Sequence, residues 1–128
     1  MEYSVPKKIF IVDDDEMVTT TLSDYLSRDT KHDIRCFQTG EECLKELSQK
    51  PDIVVLDYHL NSVEKEAANG MEILQIIKKN YPNTLVIMLS GQEHYGVAMK
   101  TIINGAEKYV IKDKDAFEEV AKIINEAN

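Results

Sequence analysis

The stretch IFIVDDDEMV, residues 9–18, decides how the rest of the chain is read. Four strand-forming apolar residues run straight into three aspartates and a glutamate. A strand with one wet face alternates apolar and polar side chains, whereas an unbroken apolar run belongs to a strand buried on both faces. Such strands occur in parallel sheets packed between helices, and those sheets gather their ligands at the carboxyl ends of the strands. The acids at 13–15 stand at that end, and the sequence poses the question of which cation, or which reaction, they serve.

Outward from this stretch the chain alternates two periods. Val18, Leu22, Tyr25 and Leu26 recur at helical spacing, with Asp14 or Asp15 placed to cap the helix. IRCF (34–37) is a short second strand. TGEE (39–42) has the form of a capping box and opens a helix that buries Cys43, Leu44 and Leu47, ending near Lys50 and Pro51. IVVL (53–56) is again wholly apolar, ends at Asp57, and is expected to be the central strand. After the polar stretch YHLNSVEKEAAN, a helix beyond Gly70 turns Ile73, Leu74 and Ile77 inward and stops at Asn80–Tyr81–Pro82. LVIML (85–89) is the fourth strand, and Val97, Ala98, Ile102 and a closing Gly105 describe the fourth helix. YVI (109–111) is the fifth strand, followed by Lys112. DAFE (115–118) resembles another capping box and starts a helix pointing Phe117, Val120, Ala121 and Ile124 at the core. The fourth helix carries Met99, Ile102 and Ile103, more apolar side chains than one buried stripe needs, so some are expected to be exposed for a partner, beside Tyr109 of the fifth strand. Five strands alternating with five helices predict an α/β fold, a parallel sheet covered on both faces.

Composition narrows the function. At 128 residues and 43% hydrophobic content, the expectation is one domain, 1–128, large enough to bury a core. The net charge of −8 argues against direct binding to nucleic acid or an anionic membrane, since polyanion affinity comes mostly from Lys and Arg. Cys36 and Cys43 have neither a zinc nor a thioredoxin spacing and read as reduced packing residues. With no signal-peptide run and no stretch of eighteen apolar residues, a cytoplasmic protein is expected.

Right-handed crossovers place every strand's C-terminal end on one edge, so the residues ending these strands converge. They are Asp13 and Asp14, Asp57, Ser90 and Lys112. Unpaired carboxylates a few ångströms apart repel and raise one another's pKa, and a divalent cation removes that repulsion. Oxygen ligands without His or Cys fit Mg²⁺ better than zinc. Asp52 starts the strand that Asp57 ends, about 17 Å away at ~3.3 Å per residue, and reads as an ordinary surface acid. Asp15 and Glu16 begin a helix, where negative charge is stabilising, and read as structural. His32 and His94 read as surface residues.

With IVDDD, PDIVVLD, VIMLSG and GAEKYVIK in this order and spacing, the chain resembles the receiver domains of two-component response regulators over essentially all of its 128 residues. The resemblance implies a flavodoxin-like (βα)5 fold with strand order 2-1-3-4-5. It implies that Asp13 and Asp14 hold Mg²⁺, that Asp57 is both metal ligand and phosphoryl acceptor, and that the backbone carbonyl of His59 completes the protein's share of the coordination. Ser90 and Lys112 would contact the phosphoryl oxygens, and Tyr109 would change position with Ser90. The implied donor is a sensor histidine kinase or a histidine phosphotransfer protein. The implied output surface is the face of the fourth helix, fifth strand and fifth helix, offered to an effector or to a second copy. On this reading the domain is not an enzyme with an outside substrate: it catalyses its own phosphorylation and dephosphorylation.

Three positions depart from the family's pattern. Gly70 lies thirteen positions after Asp57, a longer interval than usual, and the loop lacks the common proline. Asp113 follows Lys112 where most receivers have a proline, usually in a cis bond. A cis bond before a non-proline residue costs ~2.5–4 kcal/mol, so the sequence leaves open how Lys112 reaches the site. Gly91 replaces a small residue, often alanine.

The principal rival is a haloacid-dehalogenase-like phosphatase, with Asp13 as nucleophile and Asp15 as acid. It requires a further acidic pair ending a strand after the lysine, and nothing downstream of Lys112 supplies one. A flavodoxin-type nucleotide or flavin module would need a phosphate loop where this chain has acids. A receiver-like module that is never phosphorylated would not need Asp13, Asp14, Asp57, Ser90 and Lys112 together.

Overall fold

A computed structural model describes residues 5–60, 69–91 and 95–127. The elements are β1 (Lys8–Val12), α1 (Glu16–Leu26), β2 (Asp33–Phe37), α2 (Gly40–Lys45), a 3-10 turn (Leu47–Gln49) and β3 (Ile53–Asp57). They continue with α3 (Gly70–Asn80), β4 (Leu85–Ser90), α4 (Tyr95–Ile103), β5 (Lys108–Ile111) and α5 (Ala116–Glu126). The strands form one parallel five-stranded sheet in the order β2-β1-β3-β4-β5, as expected from the resemblance.

The continuous apolar runs follow from this topology. Successive strand side chains point to opposite faces. Phe10, Val12, Val54, Leu56, Val86 and Met88 therefore form one core layer, with Cys43 of α2 and Ile73, Leu74 and Ile77 of α3. Ile9, Ile11, Ile53, Val55, Ile87 and Leu89 form the other, with Leu22 and Leu26 of α1 and Val120 and Ile124 of α5. Each side chain of this size taken fully from water contributes about 1.5–3 kcal/mol, which is why neither face of the central strands tolerates a polar residue until the strand ends.

Several local expectations need correction. The second helix is short: it stops at Lys45 and the chain reaches Lys50 through the 3-10 turn, with Lys50 itself left-handed at φ 55°. Half of its capping box forms, Thr39 Oγ1 accepting from Glu42 N at 3.1 Å, while the Thr39 hydroxyl donates to Glu42 Oε1. At α5 no cap forms on Asp115, because Asp113 organises that turn, its Oδ1 accepting from Asp115 N at 2.9 Å. Among the described residues of α4 the buried one is Thr101, whose hydroxyl donates to Ala98 O. Met99, Ile102 and Ile103 are exposed, as expected. Cys43 is buried, but Cys36 is exposed on the edge strand β2. His32 is half-buried and accepts from Lys7 N at 3.0 Å, which a purely surface histidine would not do. His94 and residues 61–68 of the long loop lie outside the described residues. No helix among the described residues is long and apolar enough to cross a membrane.

Candidate functional site

The carboxyl ends of β1, β3, β4 and β5 bring the expected residues to one edge. Asp13 prolongs β1, its N–H bonded to Phe37 O at 3.0 Å, and only 1% of it is exposed. Its Oδ1 accepts from Asp15 N at 2.9 Å, and Asp15 in turn caps α1 through Met17 N. The reading of Asp15 as structural is thereby given its mechanism. Asp57 is the last residue of β3, opposite Leu89 of β4, and is 3% exposed. His59 N donates to Asp57 Oδ1 at 3.3 Å, while the His59 residue itself is exposed. Ser90, fully buried, ends β4, and its carbonyl accepts from Lys112 N at 2.8 Å.

That last bond sets where the lysine points. The Lys112 ammonium lies 2.9 Å from Asp13 Oδ2 and 3.2 Å from Asp57 Oδ1. Every described peptide bond is trans, including the one from Lys112 to Asp113, so the ammonium reaches both carboxylates without a cis link. Asp52 is exposed at the opposite edge, where its Oδ2 accepts from Lys8 N at 2.8 Å. Tyr109 is half-buried and packs on the Phe10 layer. It pairs with Met88 while Ser90 pairs with Ile111, so Ser90 and Tyr109 share one sheet face on adjacent strands, two positions apart.

The electrostatics are unbalanced. Single carboxylate oxygens of Asp13, Asp14 and Asp57 all lie within 4.8 Å of one another. Burial, and after it the charge of Asp13, push the Asp57 carboxyl up to about 7, against the opposing pull of Lys112 and His59 N. Burial of the Lys112 ammonium works against its charge, but Asp13 and Asp57 outweigh it and hold its pKa above the ordinary lysine value. Asp13 Oδ2 is buried, and the partner it has is the Lys112 ammonium 2.9 Å away. A carboxylate oxygen in that state, beside two others and with no nitrogen or sulfur donor in the group, fits a hard divalent cation. Asp13, Asp14 and Asp57 are the side chains that would hold it.

The sequence reading passed over two features that bound the site. Asn69 and Glu72 form a complete capping box at the start of α3, and the Asn-x-x-Glu signature was there to find it. Gly70 N donates to Tyr58 O at 2.8 Å, and Leu60 is buried in the core, which ties both ends of the long loop beside Asp57.

Comparison with known proteins bears on this geometry. Residues 9–125 match the family model described as "Response regulator receiver domain". The chain is 28% identical over 116 residues to the response regulator protein VraR of Staphylococcus saprophyticus, covering 88% of this chain and 52% of that protein. It is 36% identical over 105 residues to a putative NtrX-like response regulator of Rickettsia conorii, covering 81% of this chain and 21% of that one. The BeF3-activated DrrB receiver domain, from Thermotoga maritima, superposes with a TM-score of 0.79 at 29% identity, covering 93% of this chain and 95% of that domain. The chain thus spans about half the length of one curated relative and about a fifth of the other.

Proposed function

The chain belongs to the response regulator receiver domains of two-component systems, and on that premise we propose that Asp57 accepts a phosphoryl group in a Mg²⁺-dependent reaction and thereby switches a partner surface. The observation that carries this reading is the buried Asp57 carboxylate at the end of the central strand, 3.2 Å from the Lys112 ammonium and inside the acid cluster. An Asp57 oxygen attacks the phosphorus of a phosphohistidine on a sensor kinase or phosphotransfer protein. The P–N bond breaks, and the imidazole leaves and takes up a proton. The bound cation supplies charge neutralisation, which phosphoryl transfer needs together with alignment. Asp13, Asp14, Asp57 and the His59 carbonyl are the residues assigned to hold it. Lys112 pairs with the incoming phosphoryl oxygens and the Ser90 hydroxyl donates to one of them. The domain so described is a self-modifying switch and not an enzyme with an outside substrate.

Signal output follows from the shared face of Ser90 and Tyr109. A Ser90 side chain drawn toward the phosphoryl group leaves room on that face, into which the Tyr109 ring moves. This reshapes α4, β5 and α5, where Met99, Ile102 and Ile103 are exposed for an effector or a second copy. The family match supports the receiver reading over the phosphatase alternative.

Intact-mass spectrometry after incubation with acetyl phosphate and Mg²⁺ tests the reading. One phosphoryl group is expected on wild type and none on Asp57→Asn. Labelling of Asp57→Asn at the wild-type rate, or a label mapping to Asp13, would sink it.

A further inference from the structure

Resting on the reading of Asp57 as phosphoacceptor, we propose that Gly70 is a positioning residue for the reaction, because only a residue without a Cβ lets α3 start against the main chain that carries Asp57. A Cβ at residue 70 would stand 2.3 Å from Asp57 O, 2.7 Å from Tyr58 Cα and 3.0 Å from Tyr58 O. All three are main-chain atoms, so no change of rotamer relieves the contact. Gly70 opens a right-handed helix, and what it supplies is therefore space, not an unusual φ.

Neither side has freedom to withdraw. Helix α3 is held by Ile73, Leu74 and Ile77, none of them exposed, and by its capping box. Strand β3 is held at Asp57 by its pairing with Leu89, and Tyr58 N donates to Leu89 O at 3.0 Å. The strain therefore falls on the Asp57–Tyr58 peptide, against its own bond to Leu89 O. That peptide leads directly to the His59 N–H that donates to Asp57 Oδ1, so its displacement is expected to turn the carboxylate away from Asp13 and Lys112.

Two other glycines make the contrast. A Cβ at Gly40 would also come within 2.3 Å of an atom, but that atom is Cγ1 of the Ile73 side chain, in the core. A Cβ at Gly91 would meet nothing within 4 Å. Gly40→Ala is thus a steric insult to the Ile73 side chain, which a rotamer change can absorb, and not to the main chain at Asp57.

The test compares wild type, Gly70→Ala and Gly40→Ala. The readouts are the rate of acetyl phosphate labelling by intact mass, and the Mg²⁺ concentration that half-shifts the amide NMR signals of Asp57, Tyr58 and His59. Melting curves fix a temperature at which all three are folded. Gly70→Ala is expected to label at least about tenfold more slowly, since misplacing a reacting group by about 1 Å costs up to 10²-fold, and to need several-fold more Mg²⁺. Gly40→Ala is expected to lose stability and keep the wild-type rate. Wild-type labelling and Mg²⁺ response in Gly70→Ala, or equal slowing in both variants, overturns the positioning role. Should Gly70→Ala not fold, wild type decides: beryllofluoride with Mg²⁺ should move the Gly70 amide signal and leave that of Gly40 in place, and a stationary Gly70 signal overturns the proposal. A wild type that takes neither phosphoryl group nor beryllofluoride refutes the reading of the site itself, and the inference falls with it.

Discussion

Asp57 and Asp52 bracket the same strand with the same side chain, and everything that distinguishes them is position. Asp52 is wet and ties the strand starts together, while Asp57 is buried among like charges and its carboxyl is pushed up to about 7. The sequence disclosed this difference because the strand's apolar run ends at Asp57. It did not disclose Gly70, whose significance lies in a close approach between segments thirteen positions apart, nor the role of His32. Burial, then the charge of Lys7, lower the His32 pKa from its ordinary 6.5, and the neutral ring accepts from Lys7 N. The unfolded chain therefore binds more protons than the folded one as pH falls below 6.5, so stability rises with pH in that window. The histidine's contribution is fully present above its unfolded value and lost as acid drives the proton on. Asp57, raised to about 7, works in the opposite sense over this range, so between about pH 5 and pH 8 the urea midpoint of His32→Asn should rise less, or fall more, than that of wild type. An unchanged dependence would mean that His32 titrates as freely as in the unfolded chain.

Strands were easier to read than helices in this chain, for a physical reason. A strand buried on both faces leaves an unbroken apolar run, whereas a helix face is known only once its polar members are assigned. Thr101 is buried because its hydroxyl is satisfied within its own helix, which turns Ile102 outward. Helix starts divide in the same way. Asn69-x-x-Glu72 is a working capping box, and DAFE resembles one but yields its turn to Asp113. Asn69→Ala should therefore cost about 1 kcal/mol of unfolding free energy, in the range of about 0.5–2 kcal/mol for lost caps. Asp115→Ala should stay within about ±0.5 kcal/mol. Denaturant titration measures both, and equal costs would mean that the two helix starts are capped alike.

At the scale of the whole molecule, the acid cluster links ligand and fold. Bringing Asp13, Asp14 and Asp57 together is unfavourable, so a cation bound only by the folded state stabilises by mass action, roughly 2.7 kcal/mol at a hundred times its dissociation constant. Calorimetric melting with and without Mg²⁺ should show this rise in wild type. The double variant Asp13→Ala with Asp14→Ala should lose it while melting higher than wild type in the absence of metal. A wild-type transition indifferent to Mg²⁺ would count against the site.

The all-parallel sheet has a further consequence, in folding kinetics. No two of its strands are joined by a hairpin; each neighbouring pair is brought together only after the chain has closed a crossover. Sheets of this kind have high contact order and fold slowly, since the entropy of closure is lost before the pairing rewards it. Asp13 arrives with the first strand and Lys112 only after the last, so the chemistry is assembled at the end of folding and not along the way. On the proposed function, a partly made sheet, whether emerging from a ribosome or clipped by a protease, would hold strands without Lys112, and such a chain is expected to be silent rather than weakly active.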